Sequence, residues 1–197
     1  MGESRTFTVD VFQTVCARLT ERATDLRAVV VAAAPFEEWL KWEAFLACAL
    51  RKASAPFCEV TAEPTYDSEG VADVPGSGAL RVGGPNDGAD HCWLFAELVL
   101  IHDGNRTGGE WRHRIEACGD KLKRLGWKKS AALLIVVEAS ADAGLFERGD
   151  VLAGCAALDQ PPLTASADIT LPGGGAVVVR AFDVKRDRTD VLTDLVP

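Results

Sequence analysis

No CxxC pair occurs in this chain, although it has six cysteines. Cys16, Cys48, Cys58, Cys92, Cys118 and Cys155 stand singly, mostly inside apolar stretches. A zinc ribbon or a thioredoxin-type redox centre needs closely spaced pairs, so the spacing argues against both, and buried, reduced thiols in a cytoplasmic protein are expected. Long apolar runs are lacking too. The longest, Ala28 to Phe36, is too short to cross a bilayer as a helix, and no membrane association is expected. Met1 to Asp10 carries no apolar core of the kind a secretory signal needs. There is no internal repeat and no low-complexity tract. Nor is there a GxSxG, a P-loop, a GxGxxG or an HExxH, so the motif-bearing hydrolases, nucleotide binders and zinc proteases find no support. Gly173 to Gly175 precede no helix and so do not read as a phosphate cradle. A surplus of positive charge is also missing. The net charge is −8, which argues against broad non-specific nucleic-acid binding while leaving room for a local basic groove.

What is present suits one folded domain. The chain has 197 residues, 48% apolar and 25% charged, enough for a sizeable core. The stretch from Trp93 to Ile101 organises the rest. Eight of its nine residues are apolar and the ninth is Glu97. Gly83 to Gly88 and Asp103 to Asn105 mark its ends as turns. Such a run reads as a strand buried on both faces, with Trp93, Phe95, Glu97, Val99 and Ile101 on one of them. A carboxylate at the centre of a dry wall is costly unless it is paired, protonated or bound to a metal.

In chain order, Asp10 suits the N-cap of a first helix whose stripe runs through Phe12, Val15, Cys16, Leu19, Ala23, Leu26, Val30 and Ala33. Pro35 opens a second helix, from Phe36 to about Ala53. Its stripe is read as Phe36, Trp39, Leu40, Glu43, Leu46, Ala47 and Leu50, which aims Glu43 at the interior. A structural pairing of Glu43 with an arginine stands beside that reading. Glu37 and Glu38 fall off this stripe and read as solvated first-turn carboxylates. Strands follow at Phe57 to Glu63, at Gly70 to Val74 with Asp73, and at Ala79 to Val82.

After the central strand comes a loop rich in glycine and asparagine, then a helix from about Glu110 to Leu125. Between Trp111 and Lys129 there are seven basic residues and two acids. A basic helix on an acidic protein points to a phosphate-bearing partner, although a merely solvated face has the same composition. Ser130 to Val137 is a second buried strand, so a right-handed crossover between parallel strands is expected. Asp142 to Leu158 looks helical. Ala167 to Leu171 and Ala176 to Val184 look like a hairpin across Pro172 to Gly175, and the tail from Lys185 is polar.

A helix with Glu43, a strand, a strand with Asp73, a strand with Glu97, a basic helix and a buried strand form an order that resembles the PD-(D/E)XK nuclease superfamily. The resemblance covers roughly residues 36–137, with 1–35 and 138–197 outside the common core. It implies a single α/β domain, a central mixed sheet flanked by helices in a restriction-endonuclease-like fold. It further implies a metal-dependent phosphodiesterase acting on DNA, with Glu43, Asp73 and Glu97 holding Mg²⁺ or Mn²⁺. Arg112, Arg114 and Lys121 would contact nucleic acid. The sequence departs from the family at one position: the lysine expected two residues after Glu97 is Val99. Valine can neither stabilise negative charge nor move a proton, so a cation must come from elsewhere, with Arg112, Arg114 and Lys121 as candidates, or hydrolysis is lost. The alternative is a catalytically inactive relative kept as a binding or regulatory module. An acidic surface would then suit a basic protein partner, as an immunity protein meets its toxin.

A rival placement uses Asp168 with Asp183-Val184-Lys185, which keeps the lysine but has no crossover helix after it. Of the scattered His91, His102 and His113, only His102 falls where it could rim the site, just past the central strand.

Overall fold

The computed structural model describes residues 3–52, 57–65, 78–84, 92–125, 130–142, 152, 155, 158 and 163–184. The apolar run around Glu97 is a strand there, β3, Cys92–His102, and it lies within a six-stranded mixed sheet. β1 (Glu59–Ala62) pairs antiparallel with β2 (Leu80–Gly84), and β2 pairs antiparallel with β3. A helix, α4 (Glu110–Arg124), then carries the chain across to β4 (Ser130–Ser140), parallel to β3 as the strand–helix–strand pattern requires. The C-terminal hairpin belongs to the same sheet. β6 (Ala176–Asp183) pairs antiparallel with β4, and β5 (Leu163–Thr170) forms the far edge, giving the order β1-β2-β3-β4-β6-β5.

Alternation along β3 and β4 divides the core in two. Leu94, Ala96, Leu98 and Leu100, with Leu133, Ile135 and Val137, face the helices α1 (Glu3–Glu21), α2 (Ala23–Val31) and α3 (Glu37–Arg51). Phe95, Val99 and Ile101, with Leu134 and Val136, face Trp111, Ile115 and Leu122 of α4. Both strands are buried on both sides, which is why they read as continuous apolar runs.

The first helix starts well before Asp10, at Glu3, and breaks at Arg22 into α1 and α2. Asp10 is thus an interior residue of the helix and caps nothing. α3 has nearly the expected bounds, and Phe36, Leu40, Glu43 and Ala47 of the expected stripe are buried, but the inward face is turned away from Leu46 and Leu50. Leu40, Ala44, Ala47 and Cys48 are buried, whereas Trp42, Leu46 and Leu50 are exposed. The helix is apolar almost all the way round, so its sequence pattern does not fix its rotation. The same rotation buries Glu37, which is therefore not a solvated first-turn carboxylate.

In the β5–β6 turn, Gly173, Gly174 and Gly175 all have positive φ. A Cβ on Gly175 would lie 2.7 Å from the Ser140 carbonyl oxygen, so this turn admits no side chain there. Arg27 of α2 donates to the Gly174 carbonyl and ties the hairpin to the helical layer. Cys16 and Cys48 are buried thiols, and burial pushes each up to about 12. The expected strand at Gly70 to Val74 lies outside the described residues. So does most of the expected helix from Asp142 to Leu158, of which Leu152 and Cys155 are buried near the α4 side. No helix among the described residues is long and apolar enough to cross a membrane.

Candidate functional site

β3 outruns β2. Pairing between them ends at Leu80 and Ala96, so among the described residues Glu97 to His102 keep only β4 as a ladder partner. Backbone groups on the abandoned edge need other partners. Leu100 finds both: its N–H donates to Glu37 Oε2 at 3.3 Å, and its carbonyl accepts from Asn105 Nδ2 at 3.0 Å. Asn105 also accepts from the His102 N–H through Oδ1 at 2.9 Å, which closes the turn after the strand. The N-terminus of α3 is in this way fixed to the overhang of β3.

α4 reaches the same edge from the other side of the sheet. Arg114 donates to Glu37 Oε1, and Lys41 Nζ lies 3.5 Å from the same oxygen. Seven residues on, two helical turns and so on the same face, Lys121 Nζ lies 3.4 Å from Glu97 Oε1. Cys118 stands between them. Its thiol is pushed up to about 12, first by burial and then by the charge of Glu97, while Lys121 and Arg114 pull it down. Two carboxylates and two cations thus surround one point on α4. The carboxylates are nearly sealed, but the Arg114 and Lys121 side chains are 47% and 33% exposed, so the cluster opens to solvent along its cationic side.

Lys121 meets the requirement that a buried Glu97 have a partner. It also places an ammonium group where the sequence left none. Val99 is wholly buried in the α4-side core, where a lysine would lose its hydration. A cation that reaches Glu97 from the partly open helix above keeps its hydration in part.

The other candidates fall in three places. Glu43 belongs to the α1–α3 contact: Oε2 accepts from Arg18 Nε at 2.7 Å, and Oε1 lies 3.6 Å from Arg22 Nε. The hydrogen bond to Glu43 holds the Arg18 guanidinium above its ordinary pKa. α3 packs on the face of the sheet opposite to Glu97, so Glu43 is not brought to it, and the arginine pairing is the one observed. Glu37, one to two turns earlier, occupies the edge instead. Arg112 is exposed and stacks over Trp111 at 4.6 Å. Asp73 lies outside the described residues. The segment that contains it leaves and returns beside the site: Gly78 N–H bonds to the Pro64 carbonyl at 2.9 Å, and Ala79 N–H to the Ala96 carbonyl at 3.1 Å.

The rival pair does not assemble. Asp168 is in register with Val178, on the α4 side, and Asp183 with Leu133, on the α1–α3 side. Partners in register share a face, so the two carboxylates point to opposite sides of the sheet. Lys185 lies outside the described residues.

His102 is buried against Phe36, and its Nδ1 accepts the Gly104 N–H at 3.2 Å, a bond only the unprotonated nitrogen can make. Burial lowers its pKa below the ordinary 6.5, against a smaller opposing pull from Asp103. The unfolded chain therefore binds this proton first as pH falls. His102 contributes stability that is present above pH 6.5 and is lost as pH falls through the folded-state value. Urea denaturation between pH 7.5 and about pH 5 should show that loss, and it should disappear in His102→Gln; an unchanged slope in the variant would remove His102 as its source.

A second buried cluster was not legible in the sequence. Glu138, 2% exposed, lies on the same face as Glu97 and is held by Arg180 and by Arg106, the latter at 3.3 Å. Its one signal was alternation: Glu138 continues the face of Leu134 and Val136 beyond the expected strand end.

The chain matches no protein-family model, and no curated protein and no solved structure is similar to it at a significant level.

Proposed function

We propose that this chain is a PD-(D/E)XK-like phosphodiesterase acting on DNA, in which Lys121 of α4 stands in for the lysine that its central strand lacks. The observation that carries this reading is the contact between Lys121 Nζ and the Glu97 carboxylate. The element order α3-β1-β2-β3-α4-β4 agrees with it.

Among the described residues no three carboxylate, imidazole or thiol groups come together to hold a metal. On this reading Asp73, which lies outside the described residues, would join Glu97 to hold a divalent cation, an all-oxygen donor pair that suits Mg²⁺ or Mn²⁺. When bound there, such an ion would supply Lewis-acid stabilisation of the phosphate and of the leaving group. The protein's own contribution is electrostatic. Lys121 supplies positive charge at Glu97, and Arg114 supplies it two turns away, both on the partly open side of α4. Arg112 and Lys123 stand on the opposite flank of α4 and Arg124 on its outer surface, where they would add contacts to the phosphate backbone.

The test is cleavage of single-stranded and duplex DNA with Mg²⁺ or Mn²⁺, beside Glu97→Gln and Asp73→Asn. Cleavage lost in both variants supports the reading. No cleavage by the unaltered chain, in either metal, overturns it. One observation favours a second reading, a binding module without turnover: in this structure both edge carboxylates are already neutralised by α4 cations. That reading expects DNA, or a basic protein, to bind without cleavage.

A further inference from the structure

We propose that two copies of this chain pair through the outer face of α3, antiparallel and about a two-fold axis near Phe45 and Leu46. This inference does not rest on the proposed nuclease activity.

Five large apolar side chains are exposed among the described residues, and three of them, Trp42, Leu46 and Leu50, share one face of α3. Trp42 is 54% exposed and Leu50 is 68% exposed. Phe45 packs edge-on against Trp42, 5.6 Å between centroids, and widens the strip. Scattered apolar residues need no explanation, but a contiguous strip along one helix marks an interaction surface.

Charge and size identify the occupant. The strip has an acid at its N-terminal end, Glu38, and a base at its C-terminal end, Lys52, both exposed. Glu38 and Lys52 are fourteen residues apart, about 21 Å along the axis and on one face. Their midpoint is Phe45. Trp42 and Ala49 straddle nearly the same midpoint. A two-fold axis there sets the largest exposed ring of each copy over the small Ala49 of the other. It also sets each Glu38 beside the other copy's Lys52. Complementarity with itself is what an isologous interface requires. The pair that Glu38 makes with Lys41 on its own helix is exposed and weak, and does not compete strongly. One helix pair buries less than a standard interface, so a dimer in the micromolar range is expected.

Sedimentation velocity on the full chain, from about 1 μM to about 500 μM, tests this. The unaltered chain should shift from monomer to dimer across that range. Trp42→Lys should weaken association at least about 100-fold. Glu38→Lys alone and Lys52→Glu alone should each weaken it about 10-fold, and the two together should restore it, because the swapped charges again meet across the axis. A monomer throughout the range overturns the proposal and gives the strip to a different partner. A dimer indifferent to Trp42→Lys, or a double charge swap that fails to restore pairing, overturns it as well.

Discussion

Replacing Glu138 by alanine should destabilise the fold by about 3–5 kcal/mol, the largest single loss expected from any charged residue described. The carboxylate is 2% exposed and is paired with two guanidiniums, Arg106 and Arg180, whose side chains are 14% and 20% exposed. Without it, two cations sit close together in a half-dry wall between β4, β6 and the loop that leads to α4. Neither can turn fully to water without dragging that loop or strand. Glu138→Gln should cost less, since an amide oxygen still accepts from one arginine, although the charge balance is lost. Urea denaturation at neutral pH measures both. A loss below about 1 kcal/mol for the alanine variant would show that the guanidiniums are hydrated and that the triad is not a buried one.

Lys121→Met should lower DNA cleavage by about 100- to 1000-fold while leaving DNA binding within a few-fold, on the proposed reading. Methionine keeps most of the volume over Cys118 and Glu97 and removes only the charge. The binding surface loses one cation among several, whereas the charge beside Glu97 is lost entirely. Lys121→Arg should retain part of the activity, because the charge survives at a changed reach. Structural consequences are separable. Glu97 without a cation is a buried carboxylate, so Lys121→Met should also lower the melting temperature, and Lys121→Met with Glu97→Gln should recover it. The double variant reads stability alone, since Glu97→Gln by itself removes cleavage; loss of cleavage by Lys121→Met well below its own melting temperature assigns Lys121 to the reaction. If Lys121→Met cleaves as well as the parent, the lysine is a structural partner and the missing strand lysine has a different replacement.

Much of this architecture could be read from local pattern. β3 and β4 announce themselves because a strand buried on both faces has little choice but Leu, Val, Ile and aromatics. α4 shows its apolar and basic faces because only one of them is covered. The C-terminal hairpin follows from turn chemistry at Pro172 to Gly175. The need of Glu97 for a partner was legible as well, since the cost of burying a carboxylate holds whatever surrounds it.

Which carboxylates meet which cations was decided by tertiary structure. Glu37 and Glu43 lie on one helix, six residues apart, and both are buried. Rotation of α3 against α1 and the sheet gave Glu43 to Arg18 and Arg22 and gave Glu37 to the edge of β3. The sequence pattern aimed Glu43 inward, as observed, but with apolar residues spread round the helix it gave no sign that Glu37 is buried as well. Lys121 reaches Glu97 only because the crossover lays α4 antiparallel along β3, and Glu37 finds Leu100 only because β2 stops short. Periodicity is a property of neighbouring residues and survives in one dimension. An ion pair between residues 24 or 77 positions apart depends on helix rotation, strand length and crossover hand together, and only the packed chain fixes all three.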